Sequence, residues 1–291
     1  MALTLRLVCG ATAAEVARAI LISESTTAAR ITRAKKKIAL ARIPYRVPSV
    51  RELPERLDAV CAVIHLLFTT GHTAPSGDTL VRADLVERAL QLARMMHALV
   101  PDDPSVTGLL ALIALTDARR AARVDSEGRL CTLEFQDRSR WDRAAIEEGV
   151  ALVKRALPHT DRYTLQATVA AVHDEAPSRE STDWREITGL YALLLREWPS
   201  SVVRLNYAIA VGFSGRPGRA LALLDELSTD PALATYGYLQ AARVAFLAEL
   251  GRTADAVNAY EAAILLTENT VERTHLERRL DTMVRGDTPT T

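Results

Sequence analysis

The sequence predicts an all-α protein, and three observations lead to that prediction. Alanine, leucine and arginine dominate a chain of 291 residues in which aromatic residues make up only 5%, and this composition favours helices. Apolar residues recur at helical spacing along most of the chain. Proline clusters at residues 43–54, where Pro44, Pro48 and Pro54 stand, and proline at that density ends helices rather than continuing them.

Bulk composition narrows the class of protein. Hydrophobic residues make up 48% and charged residues 25%, which is typical of a folded globular chain with one large or two ordinary domains. Apolar runs fall short of the roughly 20 residues that a bilayer span needs, and no secretory signal is evident. Cys9, Cys61 and Cys131 are too few and too scattered for a disulfide framework or a zinc site. We expect a cytoplasmic protein with no cofactor, no metal and no membrane contact.

The charge is divided unevenly, although the formal net charge is zero. Residues 1–48 hold nine Lys and Arg residues against Glu15 and Glu24, and the rest of the chain is correspondingly acidic. A basic head on an acidic body predicts a nucleic-acid-binding head and a body with another role.

Two capped helices are predicted within residues 12–40. Thr12 and Glu15 have the spacing of a capping box at the start of a short helix. After a tight turn, Ser23 can cap a second helix whose first turn contains Glu24. The buried stripe of this second helix is predicted to consist of Thr27, Ile31, Ala34 and Ile38.

The opposite side of the second helix carries small residues first and cations later. Ser25, Ala29, Thr32, Arg33 and Lys36 share that face, with Arg30 and Lys37 beside it. Small residues allow close approach to base edges in a major groove, arginine can bind guanine through two hydrogen bonds, and lysines such as Lys35, Lys36 and Lys37 bind phosphates. The alternative is that the three lysines are a solvated helix end, where cations are favoured by the helix dipole.

The body reads as a succession of helices after a Pro-rich linker at residues 44–54. They are predicted at 55–69, 80–98, 103–122, 140–156, 160–175, 183–197, 201–213, 217–227, 235–249, 253–266 and 270–284. Arg129–Phe135 is the one stretch with strand-like composition, and residues 286–291 are predicted to be a disordered tail.

Five arginines in the middle of the body form a second candidate site. They are Arg119, Arg120, Arg123, Arg138 and Arg140, interleaved with Asp117, Asp125, Asp137 and Asp142 and followed by Trp141. Two interpretations stay open. One is an ion-pair network between helices with Trp141 in the core; the other is a surface that binds an anion or a protein partner.

A repeat occurs near the C-terminus. Gly215 and Gly251 each separate two predicted helices, and Ala220, Leu224 and Leu227 match Ala256, Tyr260 and Ala263 at the same offsets. The period of 36 residues is close to the roughly 34 residues of tetratricopeptide helix pairs. A bundle of helices with small residues at close crossings is the alternative.

Catalytic motifs are lacking. The six histidines show no metal-ligand spacing, and no glycine-rich phosphate loop occurs. His173, Asp174 and Glu175 are adjacent, but adjacent helical residues point in different directions. We therefore predict that the protein is not an enzyme.

Residues 1–48, MALTLRLVCGATAAEVARAILISESTTAARITRAKKKIALARIPYRVP, resemble the region-4 domain of extracytoplasmic-function sigma factors of bacterial RNA polymerase. Body segments such as SGDTLVRADLVERALQLAR and TDWREITGLYALLLREWPSSVVRLNYAIAVG resemble the subgroup with a tetratricopeptide-like C-terminal extension. The resemblance implies that a helix-turn-helix reads the −35 promoter element and contacts polymerase. Carried over to this chain, it indicates Ser25, Thr26, Arg30, Arg33 and Lys36 as the DNA contacts.

The chain departs from that family in three places. Region 2 and the first helix of region 4 have no counterpart here, so we expect an N-terminally truncated form. Leu21 stands where many helix-turn-helix motifs have glycine. Thr69-Thr70-Gly71-His72 replaces the Asn-Glu-Gly-Tyr run that the subgroup usually carries.

The expected organisation has four parts. Residues 1–43 are a partial region-4 helix-turn-helix, 44–54 the linker, 55–285 an all-helical extension with tetratricopeptide-like pairs at about 183–285, and 286–291 the tail. The expected partners are promoter DNA, the RNA polymerase core and a protein that binds the extension. The alternative function is an interaction scaffold whose DNA-binding head is vestigial.

Overall fold

The computed structural model describes residues 1–41 and 52–286, and the predicted all-α class is confirmed. Fourteen α-helices lie in these two ranges: α1 Ala2–Leu7, α2 Ala13–Ala19, α3 Glu24–Leu40, α4 Leu53–His72, α5 Ala83–Leu99, α6 Pro104–Ala118, α7 Arg143–Ala156, α8 Arg162–Glu175, α9 Trp184–Glu197, α10 Ser201–Phe213, α11 Pro217–Leu227, α12 Gly237–Glu249, α13 Thr253–Leu266 and α14 Thr270–Arg285. Most of the predicted linker, and the tail beyond Gly286, lie outside the described residues.

Most predicted helices occur within a few residues of their predicted bounds, and local capping explains why they begin where they do. Asp103, Asp142, Asp161 and Asp183 each accept hydrogen bonds from backbone N–H groups at the first turn of the helix that follows. An aspartate in this position satisfies donors that have no partner within the helix. The bounds of α10, α11 and α13 are those predicted.

Arg129–Phe135, the stretch with strand-like composition, forms no strand. Leu130 pairs with Val124 in one isolated bridge, and Leu133–Phe135 is a 3-10 turn. Predicted helix 103–122 also ends earlier, at Ala118, because a 3-10 turn at Arg120–Ala122 follows it. Within the described ranges the β-strands are only two residues long: β1, Ser76–Gly77, and β2, Glu268–Asn269, which pair in parallel.

From α4 onward, helices that follow one another in the chain pack against one another, and α6 lies at the centre of the largest core. Eleven of its fifteen residues are buried, so it is apolar on all sides rather than amphipathic. Gly108 lets α8 approach closely, because a Cβ there would lie 2.7 Å from the backbone nitrogen of Thr164. Backbone atoms cannot move aside as a side chain can, so the crossing of α6 and α8 requires glycine.

The C-terminal helices form smaller cores between consecutive pairs. All six matched positions of the 36-residue repeat are buried: Ala220, Leu224, Leu227, Ala256, Tyr260 and Ala263. Gly215 and Gly251 both adopt positive φ at the preceding turns. The two copies thus share backbone geometry and burial as well as sequence spacing.

The N-terminal helices share the core of the body. We call residues 1–41 the head and residues 52–286 the body. Leu5, Cys9, Ala11 and Val16 belong to the same hydrophobic cluster as the buried side chains of α4, α5 and α6. Because the head contributes to that core, it packs against the body as part of one structure.

Candidate nucleic-acid interface

Helix α2 begins with the predicted capping box. The Thr12 N–H donates to Oε2 of Glu15 over 2.6 Å, and the Glu15 N–H donates to Oγ1 of Thr12 over 3.1 Å. Two N–H groups that have no partner within the helix are thereby satisfied. The reciprocal bonds also fix the Glu15 carboxylate in one position, and its second oxygen remains free for another partner.

The turn that follows α2 places a leucine in a left-handed conformation. Leu21 has φ of +52°, and among the described residues it is the only non-glycine with positive φ. Its N–H donates to the Arg18 carbonyl, and that of Ile22 donates to the Ala17 carbonyl. This pair of bonds is a Schellman motif, in which glycine usually occupies the left-handed position. The sharp turn between α2 and α3 therefore forms despite the side chain of Leu21, at a cost of about 1–2 kcal/mol.

Helix α3 begins with a group of hydroxyls. The Thr26 N–H donates to Oγ of Ser23 over 3.2 Å, which confirms the predicted cap. The Ser23 hydroxyl also donates to Oγ1 of Thr26 over 2.7 Å and lies 3.1 Å from Oγ of Ser25. Free backbone N–H groups and hydroxyls at a helix N-terminus suit a phosphate oxygen.

Helix α3 buries little of its surface. Thr27 and Ile31 are buried and Ala34 is half-buried, as predicted. The prediction that Ile38 continues this stripe was wrong, because its exposed fraction is 43%. Ile38 lies nearly two turns beyond Ile31, where α3 extends past the helices that cover its first half.

All seven predicted DNA contacts lie on α3 and are exposed: Ser25, Thr26, Arg30, Arg33, Lys35, Lys36 and Lys37. Arg33 donates from Nε to the Ala29 carbonyl of its own helix over 3.4 Å. In residues 1–41 and 52–286, no salt bridge involves any of the five cations. Their charges are not neutralised by the part of the body that the structure describes, and the helix turns them toward solvent.

Helix α2 is held to the body by two ion pairs, which the sequence pattern did not indicate. Oε1 of Glu15 accepts a hydrogen bond from Nη1 of Arg82 over 2.8 Å. One turn along the same helix, Nη2 of Arg18 lies 2.6 Å from Oε1 of Glu268. Neither pair has a local sequence signal, because the partners are far apart in the chain.

The five arginines of the second candidate site find partners inside the body. Arg119 lies 3.3 Å from the buried carboxylate of Asp174, and Arg120 pairs with Asp117 and Glu87. The remaining three, Arg123, Arg138 and Arg140, donate to backbone carbonyls, those of His72, of His173 and Ala176, and of Val124 respectively. Trp141 is buried, with the Arg138 guanidinium 4.4 Å from its ring. The two ion-paired arginines and the buried Trp141 agree with the first interpretation. The carbonyl contacts of the other three also favour internal structural contacts over a free anion site.

The half-buried His173 and the buried Asp174 are adjacent but contact different groups. The His173 ring meets the Trp184 ring edge-on at 5.2 Å, whereas Asp174 faces Arg119. Burial lowers the pKa of His173 to about 4 and raises the pKa of Asp174 to about 6, because a buried charge loses its hydration. Glu175 is exposed, so the three adjacent residues do not converge on one point.

Within the described residues, no three His, Cys, Asp or Glu side chains are placed to hold a metal ion. Cys9, Cys61 and Cys131 are free thiols. No helix in these ranges is long and apolar enough to cross a membrane.

Comparison with known proteins gives two similarities, neither of which names an activity. Residues 56–157 match the model of DUF6596, a family of unknown function. The chain is 40% identical over 283 residues to an uncharacterized protein of Rhizobium meliloti (strain 1021). That similarity covers 97% of this chain and 66% of the longer relative. No solved structure matches the chain. The matched residues 56–157 run from α4 to α7.

Proposed function

We propose that this chain is a sigma-factor-like transcription initiation protein whose helix α3 binds −35-type promoter DNA. The observation that supports this most directly is the exposure of all seven candidate contacts on one capped helix. The Schellman turn at Leu21 and the two caps support a helix-turn-helix formed by α2 and α3.

The dimensions and charge of α3 fit a major groove. Its 17 residues give a length of roughly 25 Å, and B-DNA admits an α-helix in a groove about 12 Å wide. Ser25 and Thr26 lie in the first turn of α3, where small side chains allow the helix to approach base edges closely. In this proposal Arg30 and Arg33 contact base edges, and the three lysines contact phosphates.

The body provides a second surface in this proposal. Helices packed in consecutive pairs, with a repeat of 36 residues in the C-terminal part, support a tetratricopeptide-like extension that binds a protein or regulates the head. RNA polymerase core is the expected partner of the complex on DNA, which requires a cytoplasmic location.

The test of DNA binding begins with selection of sequences from a pool of random duplexes, followed by titration with the enriched duplex. The double variant Arg30→Ala, Arg33→Ala should bind at least about tenfold more weakly, since each good arginine contact to a base contributes about 1–3 kcal/mol. Affinity should also fall steeply with salt.

The matched control is Arg185→Ala, Arg219→Ala, which removes two exposed arginines of the body and should change affinity less than about twofold. Absence of salt-sensitive binding by the unmodified chain would refute the proposal, as would equal losses in both double variants.

The second candidate function is an interaction scaffold with a vestigial head. The observation that favours it is that only Thr27 and Ile31 of α3 are buried, so this helix contributes little to the packing. Deleting the head is a poor test because Leu5 and Val16 lie in the shared core. Replacing Arg30, Arg33 and Lys36 by glutamate leaves that core intact. If this variant retains every purified binding partner of the parent chain, polymerase included, the scaffold is the better description.

A further inference from the structure

Three distant parts of the chain meet beside the head. They are helix α2, the loop between α4 and α5, and the junction of α13 with α14. We name the five side chains that join them the clasp: Glu15, Arg18, Arg82, Glu268 and Asn269. We propose that the clasp makes DNA binding by α3 depend on the junction of α13 with α14, which it connects to α2. The inference rests on the proposed function.

Arg82 attaches the head to the loop between α4 and α5. Its guanidinium donates from Nε and Nη2 to the two oxygens of Asp84 over 2.9 and 2.8 Å, and from Nη1 to Glu15. The bidentate bond to Asp84 orients the guanidinium before it meets the head. Only 9% of the Glu15 side chain is exposed, and its other oxygen caps α2. The start of α2 is therefore fixed with respect to the loop.

Asn269 attaches α14 to the same loop. The residue is fully buried, and its Nδ2 donates to the carbonyls of Ala74 over 3.0 Å and Thr79 over 2.8 Å. Its Oδ1 accepts from the N–H groups of Val271 and Glu272, at the first turn of α14. One side chain thus caps α14 and binds the loop, and every hydrogen-bonding group of its amide is satisfied.

Glu268 completes the connection. It precedes Asn269, pairs with Ser76 in the two-residue parallel sheet, and faces Arg18 across 2.6 Å. Glu15 and Arg18 are three residues apart and so share one side of α2. Helix α2 is held at Glu15 by the loop and at Arg18 by the α13–α14 junction, while α3 lies on the other side of the turn.

Opening the clasp should loosen α2 and reduce the preorganisation of α3 for DNA. The first variant is Asn269→Ala in the full chain, with Asn258→Ala on the exposed side of α13 as its control. Hydrogen exchange in residues 13–19 should become about tenfold faster in the first variant only. Affinity for the enriched duplex should fall by about fivefold, because a mobile helix loses more freedom on binding.

A second variant keeps the proposal testable if Asn269→Ala does not fold. Glu268→Lys places a cation opposite Arg18 on a residue that is 66% exposed, and Glu261→Lys is the matched change on α13. Exchange in residues 13–19 should rise about threefold for Glu268→Lys alone, the size expected for an exposed ion pair.

The exchange and DNA measurements separate the two proposals. Unchanged exchange in residues 13–19 of folded Glu268→Lys, or of folded Asn269→Ala whose α14 exchanges faster, would overturn the clasp. Faster exchange in α2 with unchanged DNA affinity would overturn its link to DNA binding. If the parent chain binds no DNA, the proposed function fails, and with it the regulatory role of the clasp, whereas the exchange data still decide whether the clasp holds α2.

Discussion

Helices α3 and α6 are similar in length but differ in how they relate to the rest of the molecule. Two of the 17 residues of α3 are buried, against eleven of the 15 residues of α6. Helix α3 therefore leaves most of its surface available to a partner, whereas nearly all of the surface of α6 is buried in the core. Stability and the proposed recognition function are therefore assigned to different helices, which should respond differently to the same substitution.

The largest expected effect is the loss of a buried isoleucine in α6. Ile113 is fully buried, whereas Ile38 of α3 is 43% exposed. Ile113→Ala should lower the free energy of unfolding by about 3–4 kcal/mol, because it removes apolar contacts and leaves a cavity. Ile38→Ala should cost less than about 1 kcal/mol. Urea denaturation of both variants measures the difference, and equal losses would contradict the comparison.

Acid should destabilise the chain through groups in the body, because all six histidines lie beyond residue 60. Burial lowers the pKa of His65, His173 and His275 to about 4. Their folded-state pKa values lie below the unfolded value of about 6.5, so the unfolded chain binds more protons as the pH falls. Stability is thus lost between pH about 6.5 and about 4. Because each of these three side chains is only partly buried, the loss should be roughly 1–2 kcal/mol for each.

Asp174 should act in the opposite direction within the same pH range. Burial raises its pKa to about 6, so its protonated form is favoured by folding and stability is gained as the pH falls from about 6 to about 4. His173→Phe should therefore flatten the acid-induced loss of stability, and Asp174→Asn should steepen it. Thermal unfolding across this range distinguishes them; identical profiles for the two variants would show that neither group is linked to folding.

A medium effect is expected at Glu15, which connects the head to the body. Glu15→Gln keeps the shape of the side chain but removes the charge that faces Arg82. A loss of about 1–2 kcal/mol is expected, since a hydrogen bond to a charged group contributes more than a neutral one. Glu148→Gln, in the exposed pair with Arg94, is the control and should cost about 0–1 kcal/mol. Comparable denaturation midpoints in the two variants would indicate that the Glu15 contact is not specific.

The smallest effect is a gain of stability in the head. Leu21→Gly relieves a left-handed leucine, and the gain should be about 1 kcal/mol after the extra flexibility of glycine in the unfolded chain is included. Ala19→Gly, within α2, is the opposite control and should cost about 0.5–1 kcal/mol. A destabilised Leu21→Gly would show that the leucine side chain contributes packing that outweighs its strain.

Local signals in the sequence predicted local structure well. The capping box at Thr12, the cap at Ser23 and the glycine turn at Gly251 each depend on neighbouring residues, and each appears in the structure. The stripe of α3 was predicted correctly through Ala34 and failed at Ile38, because periodicity alone does not say where the covering helices end.

Contacts between distant residues could not be predicted in the same way. Nothing near Arg18 in the sequence indicates that Glu268 will face it. From its position, Asn269 could be predicted only to cap the helix that follows, not to bind the loop between α4 and α5. The core that head and body share could not be predicted for the same reason. In the sequence, Leu5 and Val16 resemble any other apolar helix positions, and only the structure shows their partners on other helices. The uneven charge of head and body is visible in the composition, but it does not indicate how the two parts pack.

The clasp also has a consequence for the order of events during synthesis. Arg18 leaves the ribosome early, and Glu268 follows only when nearly all of the described body has been made. Contacts of such long sequence separation form late. A nascent or prematurely terminated chain that carries the complete basic helix would therefore lack the contact that holds α2 in place. Under the proposed mechanism, α3 reaches its full affinity for DNA only after the α13–α14 junction has been made.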